Sequence, residues 1–393
     1  MRIAQLTAMI VRLRLRKEFK HASFSRNYSD NLMVRCQLAD GTIGWGEGVP
    51  REYVTGETPD GAMEQLKATD LVSQLGRDCE SLSDVIELCE SYQPDVLAED
   101  SRGRMANAQR CAVELSILDA YGKLFELPLR EVTKTYAPAE SVRKECQWIQ
   151  YSSAISSGGF RKELLSSLAM RIYGFAHCKV KVGMNSDHDP MRLLRMRRWT
   201  GASMDLRVDA NEAWAPDEAE RRIAALIPYD ISCVEQPVHH DQVDCLAKLR
   251  GNMATPIMLD ESLTSEHDAR RAIDSGTCDL FNIRLSKCGG FLSSLRLAGM
   301  AQRAGLGYQM GIHPGESTIL SAAGRHFASS VANIRFREGS ADRHLLKNQI
   351  AEKSMTFGYG GWAPAIDAPG LGVTIIEETL RPMILKTETF KIC

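Results

Sequence analysis

HCKVKVG, residues 177–183, carries two lysines two positions apart inside an apolar run. In a β-strand alternate side chains share a face, so Lys179 and Lys181 point one way and Val180 and Val182 the other. If the valine face packs on helices, both ammonium groups enter an interior. Burying one charge is costly, and burying two side by side costs more. Such a pair needs strong negative charge close by, or a chemical task.

The surrounding sequence supplies the context. From about residue 145, short apolar strands alternate with longer amphipathic segments. ECQWIQYSS, HCKVKVG, MDLRVDANEAW, DISCVEQP, TPIMLDES, CDLFNIRLSKCGG, GLGYQMGIHPGES and ANIRFREGS read as eight strands. Segments such as PDEAERRIAALIPY, SEHDARRAIDSG and LSSLRLAGMAQRAG read as helices between them. That alternation predicts an α/β fold built on a parallel β/α barrel. The polar residues closing the strands recur at Lys181, Asp209, Glu235, Asp260, Lys287, His313 and Glu338, at steps of 25 to 28 residues. One βα unit has that length, so the repeat predicts one rim for all seven side chains.

Upstream the texture differs. MRIAQLTAMIVRLRLRKEF alternates like a strand, and LMVRCQL–ADGT–IGWGEGV reads as a hairpin turning at Asp40-Gly41. From Pro59 to about Leu127 the periodicity is helical, ending in the long apolar helix of ANAQRCAVELSILDAYGKLFEL. The Gly/Pro-rich tail after residue 360 turns strand-like and reads as a return to the N-terminal sheet. The expected organisation is an α+β capping domain over 1–135, a barrel over 136–360 and a returning segment over 361–393.

With 393 residues, a net charge of −2 and 25% charged residues, the chain shows no electrostatic footprint for nucleic acid or an anionic membrane. No apolar run approaches the ~18–20 residues of a membrane span, and the N-terminus lacks the pattern of a signal peptide. Eleven dispersed cysteines without a CxxC read as buried thiols in a reducing cytoplasm. The basic run MRLLRMRRW at 191–199 reads as a solvated helix face.

Asp209, Glu235 and Asp260 close three consecutive strands. Three converging carboxylates repel unless a cation sits among them. Oxygen-only ligation favours a hard ion, Mg²⁺ first and Mn²⁺ second. Lys181 precedes the trio by one unit and Lys287 follows it by one. Lys179 and a dication both disfavour a charged Lys181, which suits a general base. A divalent ion between two lysines fits removal of a proton α to a carboxylate, with the enolate stabilised by the metal.

In these residues the chain resembles the enolase superfamily, muconate lactonizing enzyme subgroup. KVKVG (179–183), VDANEAW (208–214), VEQP (234–237), LDES (259–262) and NIRLSKCGG (282–290) carry the resemblance. It implies a (β/α)7β TIM-type barrel with an N-terminal α+β capping domain. It implies Lys181 and Lys287 as acid/base groups, Asp209, Glu235 and Asp260 as Mg²⁺ ligands, and Lys179, Asn211 and Glu261 in support. A lysine pair argues against the mandelate racemase branch, where a histidine opposes the lysine. The implied activity is an isomerase: an epimerase or racemase of an N-acyl amino acid or dipeptide, or alternatively a muconate cycloisomerase or an o-succinylbenzoate synthase type of lyase. The implied partner is a small carboxylate substrate, in a homo-oligomer.

VPREYVTGET (49–58) resembles the specificity loop of dipeptide epimerases, which nominates Tyr53 and Thr55 as substrate contacts. Those enzymes close the eighth strand with Asp-x-Asp, which grips an ammonium group. Here the stretch is ANIRFREGS, with Glu338 in place of one acid and Arg335 and Arg337 adding positive charge. That favours an N-acylated amino acid or a dicarboxylate. His313 and Glu316 of HPGES complete the candidate substrate contacts.

Overall fold

The computed structural model describes residues 1–20, 25–97 and 99–393. Two sheets organise it. The first is antiparallel. Its two long strands, Ile3–Lys20 and Ser25–Leu38, are followed by Ile43–Gly48, and the C-terminal strand Ile384–Lys391 pairs with the first strand. The tail thus returns to the N-terminal sheet, with Leu6 opposite Phe390. The turn at Asp40-Gly41 closes as the sequence predicts: Gly41 takes φ 91°, and the Thr42 amide donates to Asp40 Oδ1 at 2.9 Å.

Gly44, Gly46 and Gly48 share one face of the third strand. A Cβ on them would lie 2.2, 1.9 and 1.9 Å from backbone atoms of Ala120, Ala112 and Ala108. The glycines let the buried helix Asn107–Leu124 lie directly on the strand. Glu47 points the other way. It is buried and accepts from Asn31 Nδ2 and Ser317 Oγ, both at 2.6 Å, tying this sheet to the barrel helix Thr318–Ser330.

The second sheet has eight parallel strands in sequential order, joined by seven helices. It forms a (β/α)7β barrel of the TIM type. Its strands are Ser153–Ile155, His177–Lys181, Asp205–Asp209, Ile231–Glu235, Ile257–Leu259, Leu280–Ile283, Gly307–Met310 and Ile334–Arg337. The first and last meet through Ser152, whose amide donates to the Arg337 carbonyl at 2.7 Å. The first strand departs from expectation. Trp148–Gln150 pairs antiparallel with Trp362–Pro364 instead, and only Ser153–Ile155 joins the barrel. Among the described residues, no helix is long and apolar enough to cross a membrane.

The capping helix is stitched to the barrel by buried polar groups. Asn107 Nδ2 donates to the carbonyls of Thr264 and Lys287, and Glu114 Oε1 accepts the amides of Phe291 and Leu292. Burial pushes the Glu114 carboxyl up to about 7, against the charge of Arg110 and those two donors. With the folded value raised above 4.5, the neutral carboxyl's contribution is full below about 4.5 and is lost as pH rises through about 7. Glu114→Gln keeps an acceptor and removes the titration. Relative to wild type it is expected to gain up to about 3 kcal/mol between about pH 5 and about pH 8 in thermal melts. An unchanged difference between the two conditions would show that Glu114 ionises without penalty.

Candidate active site

Strand parity builds the site. Cys233, Met258, Leu280 and Phe336 pack together as a floor inside the barrel. Two residues further along the same strands, the same inward face carries Glu235, Asp260, Asn282 and Glu338. Lys179 and Lys181, and Arg207 and Asp209, share the inward face on their own strands, with Lys181 in register with Asp209 and Asp209 with Glu235.

A buried charge layer lies directly above the floor. Lys179 Nζ is 2.7 Å from Glu338 Oε1, 3.3 Å from Glu235 Oε1 and 3.4 Å from Asp209 Oδ2. The fully buried Arg207 donates to Glu338 Oε1 at 2.6 Å and stacks 4.6 Å from the Phe336 ring. Burial works against the charged form of Lys179, but Glu235, Glu338 and Asp209 outweigh it and raise its pKa. Glu338 answers in kind: burial opposes its charge, yet Lys179 and Arg207 hold it down to about 2. Lys179 is therefore the counterion of the layer, and both cations meet Glu338 through Oε1.

Lys181 is different. Its side chain keeps 23% exposure and reaches the mouth of the barrel. Nζ donates to Asn211 Oδ1 at 2.5 Å and lies 4.0 Å from Asp209 Oδ2. Asn211 adopts φ 43°, its amide donates to Asp209 Oδ1 at 3.0 Å, and its Nδ2 donates to Glu261 Oε1 at 3.3 Å. One residue thus orients the amine, a trio carboxylate and Glu261. Glu261 Oε2 is buried without a partner, and burial first, then Asp260, raises its pKa.

Gln236 was not singled out from the sequence. It is buried at φ 38°, and its Oε1 accepts the amides of Asp260 at 2.9 Å and Ser262 at 3.3 Å. It fixes the backbone that presents Asp260. Its place next to Glu235 in VEQP was the available signal.

The rim expectation for Lys287 does not hold. Lys287 lies in the turn after the sixth barrel strand, off the inward register, with a side chain of 0% exposure. Its Nζ donates to the Asp260 carbonyl at 2.6 Å, the Asn282 carbonyl at 2.8 Å and Asp260 Oδ1 at 2.9 Å. It braces Asp260 from behind. The inward position is taken by Arg284, two residues after Asn282, whose guanidinium contacts Asp260 Oδ2 and lies 3.8 Å from Glu235 Oε1. Burial opposes the Arg284 charge, but Asp260, Glu261 and Glu235 raise its pKa. The 25-to-28-residue spacing tolerated either residue; strand parity from Asn282 selects Arg284.

The substrate side is partly redistributed. Arg335 and Arg337 flank the inward Phe336 and so face out of the barrel. Arg337 sits among Cys146, Tyr151 and Tyr308 and does not line the site. Thr55 turns inward to donate to Glu57 Oε2 at 2.6 Å. Tyr53 lines an open cleft of about 440 Å³ with Arg26, Tyr28 and Arg51. Arg51 is buried; it donates to the Pro50 carbonyl at 2.6 Å and contacts Ser29 Oγ. Among the described residues no carboxylate pairs with it, and burial, then Arg26, lowers its pKa to about 9. His313 is buried with neither ring nitrogen partnered. Burial, then Arg284 and Arg51, lowers its pKa and keeps it neutral. Glu316 Oε1 accepts the His313 amide at 2.6 Å, and burial pushes it up to about 8.

Asp209, Glu235 and Asp260 offer only oxygen, are buried, and face inward on three neighbouring strands, with Lys179 and Arg284 set between them. Burial, against Lys179 and with the other carboxylates, pushes Glu235 up to about 8. A cluster whose own charges oppose ionisation is a fitting cradle for a hard dication.

A profile of the enolase C-terminal domain-like family matches residues 163–379, and the chain belongs to that family. It is an isomerase of the enolase superfamily. An N-succinyl-L-Arg/Lys racemase of Bacillus cereus is 27% identical over 387 residues, covering 98% of each chain. The crystal structure of the Bacillus cereus racemase superposes with a TM-score of 0.86 at 26% identity, over 100% of both chains. A dipeptide epimerase of Cytophaga hutchinsonii, solved with Mg and D-Ala-L-Val, superposes at 0.82 with 25% identity, covering 99% of this chain and 100% of that one. A chloromuconate cycloisomerase of Cupriavidus pinatubonensis is 24% identical over 384 residues, covering 95% of this chain and 96% of that one.

Removing the counterion tests the buried layer. Lys179→Met leaves Glu235, Glu338 and Asp209 facing one another. Denaturant titration should show a loss of about 3–5 kcal/mol. A loss under about 1 kcal/mol would mean that the layer is hydrated or protonated rather than ion-paired.

Proposed function

We propose that this chain removes a proton α to a carboxylate, with Lys181 as the base and Asp209, Glu235 and Asp260 as ligands of a divalent ion, Mg²⁺ or Mn²⁺. The observation that carries the reading is the partly exposed Lys181 amine, held by Asn211 beside three buried carboxylates. When bound, the ion supplies Lewis-acid stabilisation of the charge that builds on the substrate carboxylate. Asn211 aims the amine, and Glu261 anchors Asn211. Lys179 and Arg207 hold the lower layer rigid, so the trio needs little reorganisation during the reaction.

The names of the relatives support an epimerase or racemase acting on an N-acyl amino acid or a dipeptide. Within that class, an N-acyl amino acid fits better. Glu338 already has its charge balanced by Lys179 and Arg207 through Oε1, which weakens its pull on a substrate ammonium group. Arg51 offers a buried positive charge near the unpartnered His313. The second reading, a cycloisomerase or a β-eliminating lyase, draws support from Arg284, because a guanidinium rather than a second amine faces the trio.

The test is α-proton exchange in D₂O with Mg²⁺, using N-succinyl-L-arginine, D-Ala-L-Val and cis,cis-muconate as probes. Wild type is expected to add one mass unit or to yield an isomer with at least one probe. Lys181→Ala should slow that step by about 10²–10⁴-fold, the span of general-base catalysis. Chelation should abolish it, and either Mg²⁺ or Mn²⁺ should restore it. A Lys181→Ala variant within tenfold of wild type would remove Lys181 as the base.

A further inference from the structure

The inward register raises a question that sequence spacing hid. Lys181 closes the second strand of an eight-stranded ring, and Arg284 follows the end of the sixth. They stand four steps apart in a ring of eight, so they face each other across the third, fourth and fifth strands, which carry Asp209, Glu235 and Asp260. A carboxylate substrate seated at the trio would then lie between Lys181 and Arg284.

We propose that Arg284 is the group opposite Lys181, and that it confines proton transfer to the Lys181 face. This rests on the α-proton chemistry proposed above and, within it, favours the second reading, a cycloisomerase or β-eliminating lyase, over inversion by a racemase or epimerase.

Inversion at an α-carbon needs two groups, one to take the proton and one on the far face to give a proton back. In the reverse direction the second group must itself act as a base. A guanidinium keeps its protons at any working pH and offers no lone pair. Lys287, the nearest amine on that side, is fully buried, and its three N–H bonds go to Asp260 and Asn282. All three ammonium hydrogens are committed, and the chain between Asn282 and Lys287 holds the amine behind Asp260 rather than in front of it. Lys181 is left as the amine that reaches the mouth.

The step then balances on one face. The neutral Lys181 amine takes the α-proton, and the C–H electron pair passes into the enolate. The resulting ammonium can return a proton to the same face, which exchanges hydrogen without inversion. Alternatively, the enolate pair forms a Cα–Cβ double bond while a β-substituent leaves with its own bonding pair. When that substituent is an oxygen of the same molecule, the product is an isomer and no atom is lost. Arg284 contributes a fixed positive charge facing the developing enolate throughout, beside Asp260 and Glu235.

Two measurements test this. The first follows D₂O exchange on the three probes by NMR and chiral chromatography. Wild type is expected to exchange with configuration retained, or to form an elimination or cyclised product. Arg284→Lys places an amine on the second face and should raise the opposite enantiomer at least tenfold relative to exchange. Inversion by wild type at a rate comparable to its exchange would overturn the proposal. The second is Mg²⁺ titration calorimetry, with circular dichroism to establish folding. Arg284 shares Asp260 with the ion, so Arg284→Gln should tighten Mg²⁺ binding about tenfold, equivalent to about 1.4 kcal/mol. A folded Arg284→Gln with unchanged affinity would overturn the placement of Arg284 at the trio. Absence of exchange with every probe would count against the α-proton chemistry itself, while the calorimetric arm still decides the position of Arg284.

Discussion

Three carboxylates on three neighbouring strands set the terms for the rest of this molecule. Parallel strands lie about 4.8 Å apart, so inward side chains on consecutive strands meet whether or not their charges agree. Asp209, Glu235 and Asp260 therefore need positive charge from several directions. Lys179 comes from below, Arg284 from the side and Lys287 from behind. The cations do not collapse the cluster, because each approaches from a different strand or turn.

That constraint also explains how the two sheets cooperate. The turn carrying Lys287 is held from outside as well. Its carbonyl accepts from Asn107, at the start of the capping helix, and Val49 of the capping loop donates to Ser286 Oγ at 2.7 Å. The same turn reaches Asp260 through the Lys287 amine. One short segment thus joins the capping helix to a trio carboxylate. The glycines of the third strand serve the same end by seating the capping helix flush on its sheet.

Much of this was legible in the sequence. The period of strand-closing polar residues gave the barrel, and KVKVG read through alternation put Lys179 and Lys181 on one inward face; their difference in depth emerged only in the structure. The hairpin at Asp40-Gly41 and the returning tail followed from turn chemistry and composition. Failures arose where spacing alone replaced parity. Lys287 fits the interval between units as well as Arg284 does, because a βα interval varies by several residues. Only the face of Asn282, fixed by its hydrogen bond to Glu235 Oε1 at 2.7 Å, separates them. Arg337 failed for the same reason, since it flanks the inward Phe336. Thr55 and Gln236 depend on loop conformation, which alternation does not reach.

The eighth strand shows how a buried layer can dictate what the site recognises. Glu338 closes that strand where an acid might grip a substrate ammonium. It instead neutralises Lys179 and Arg207, and Arg207 has no other carboxylate within 4.0 Å among the described residues. Freeing Glu338 for a substrate would strand a fully buried guanidinium over Phe336, at a cost of several kcal/mol. Beside it, past the end of the neighbouring seventh strand, His313 is buried with neither ring nitrogen partnered, and Arg51 of the capping loop is buried with its Nε unpartnered. Those groups favour an anion or a carbonyl over a cation. Under the proposed chemistry, substrate polarity would follow from the need to balance this buried charge.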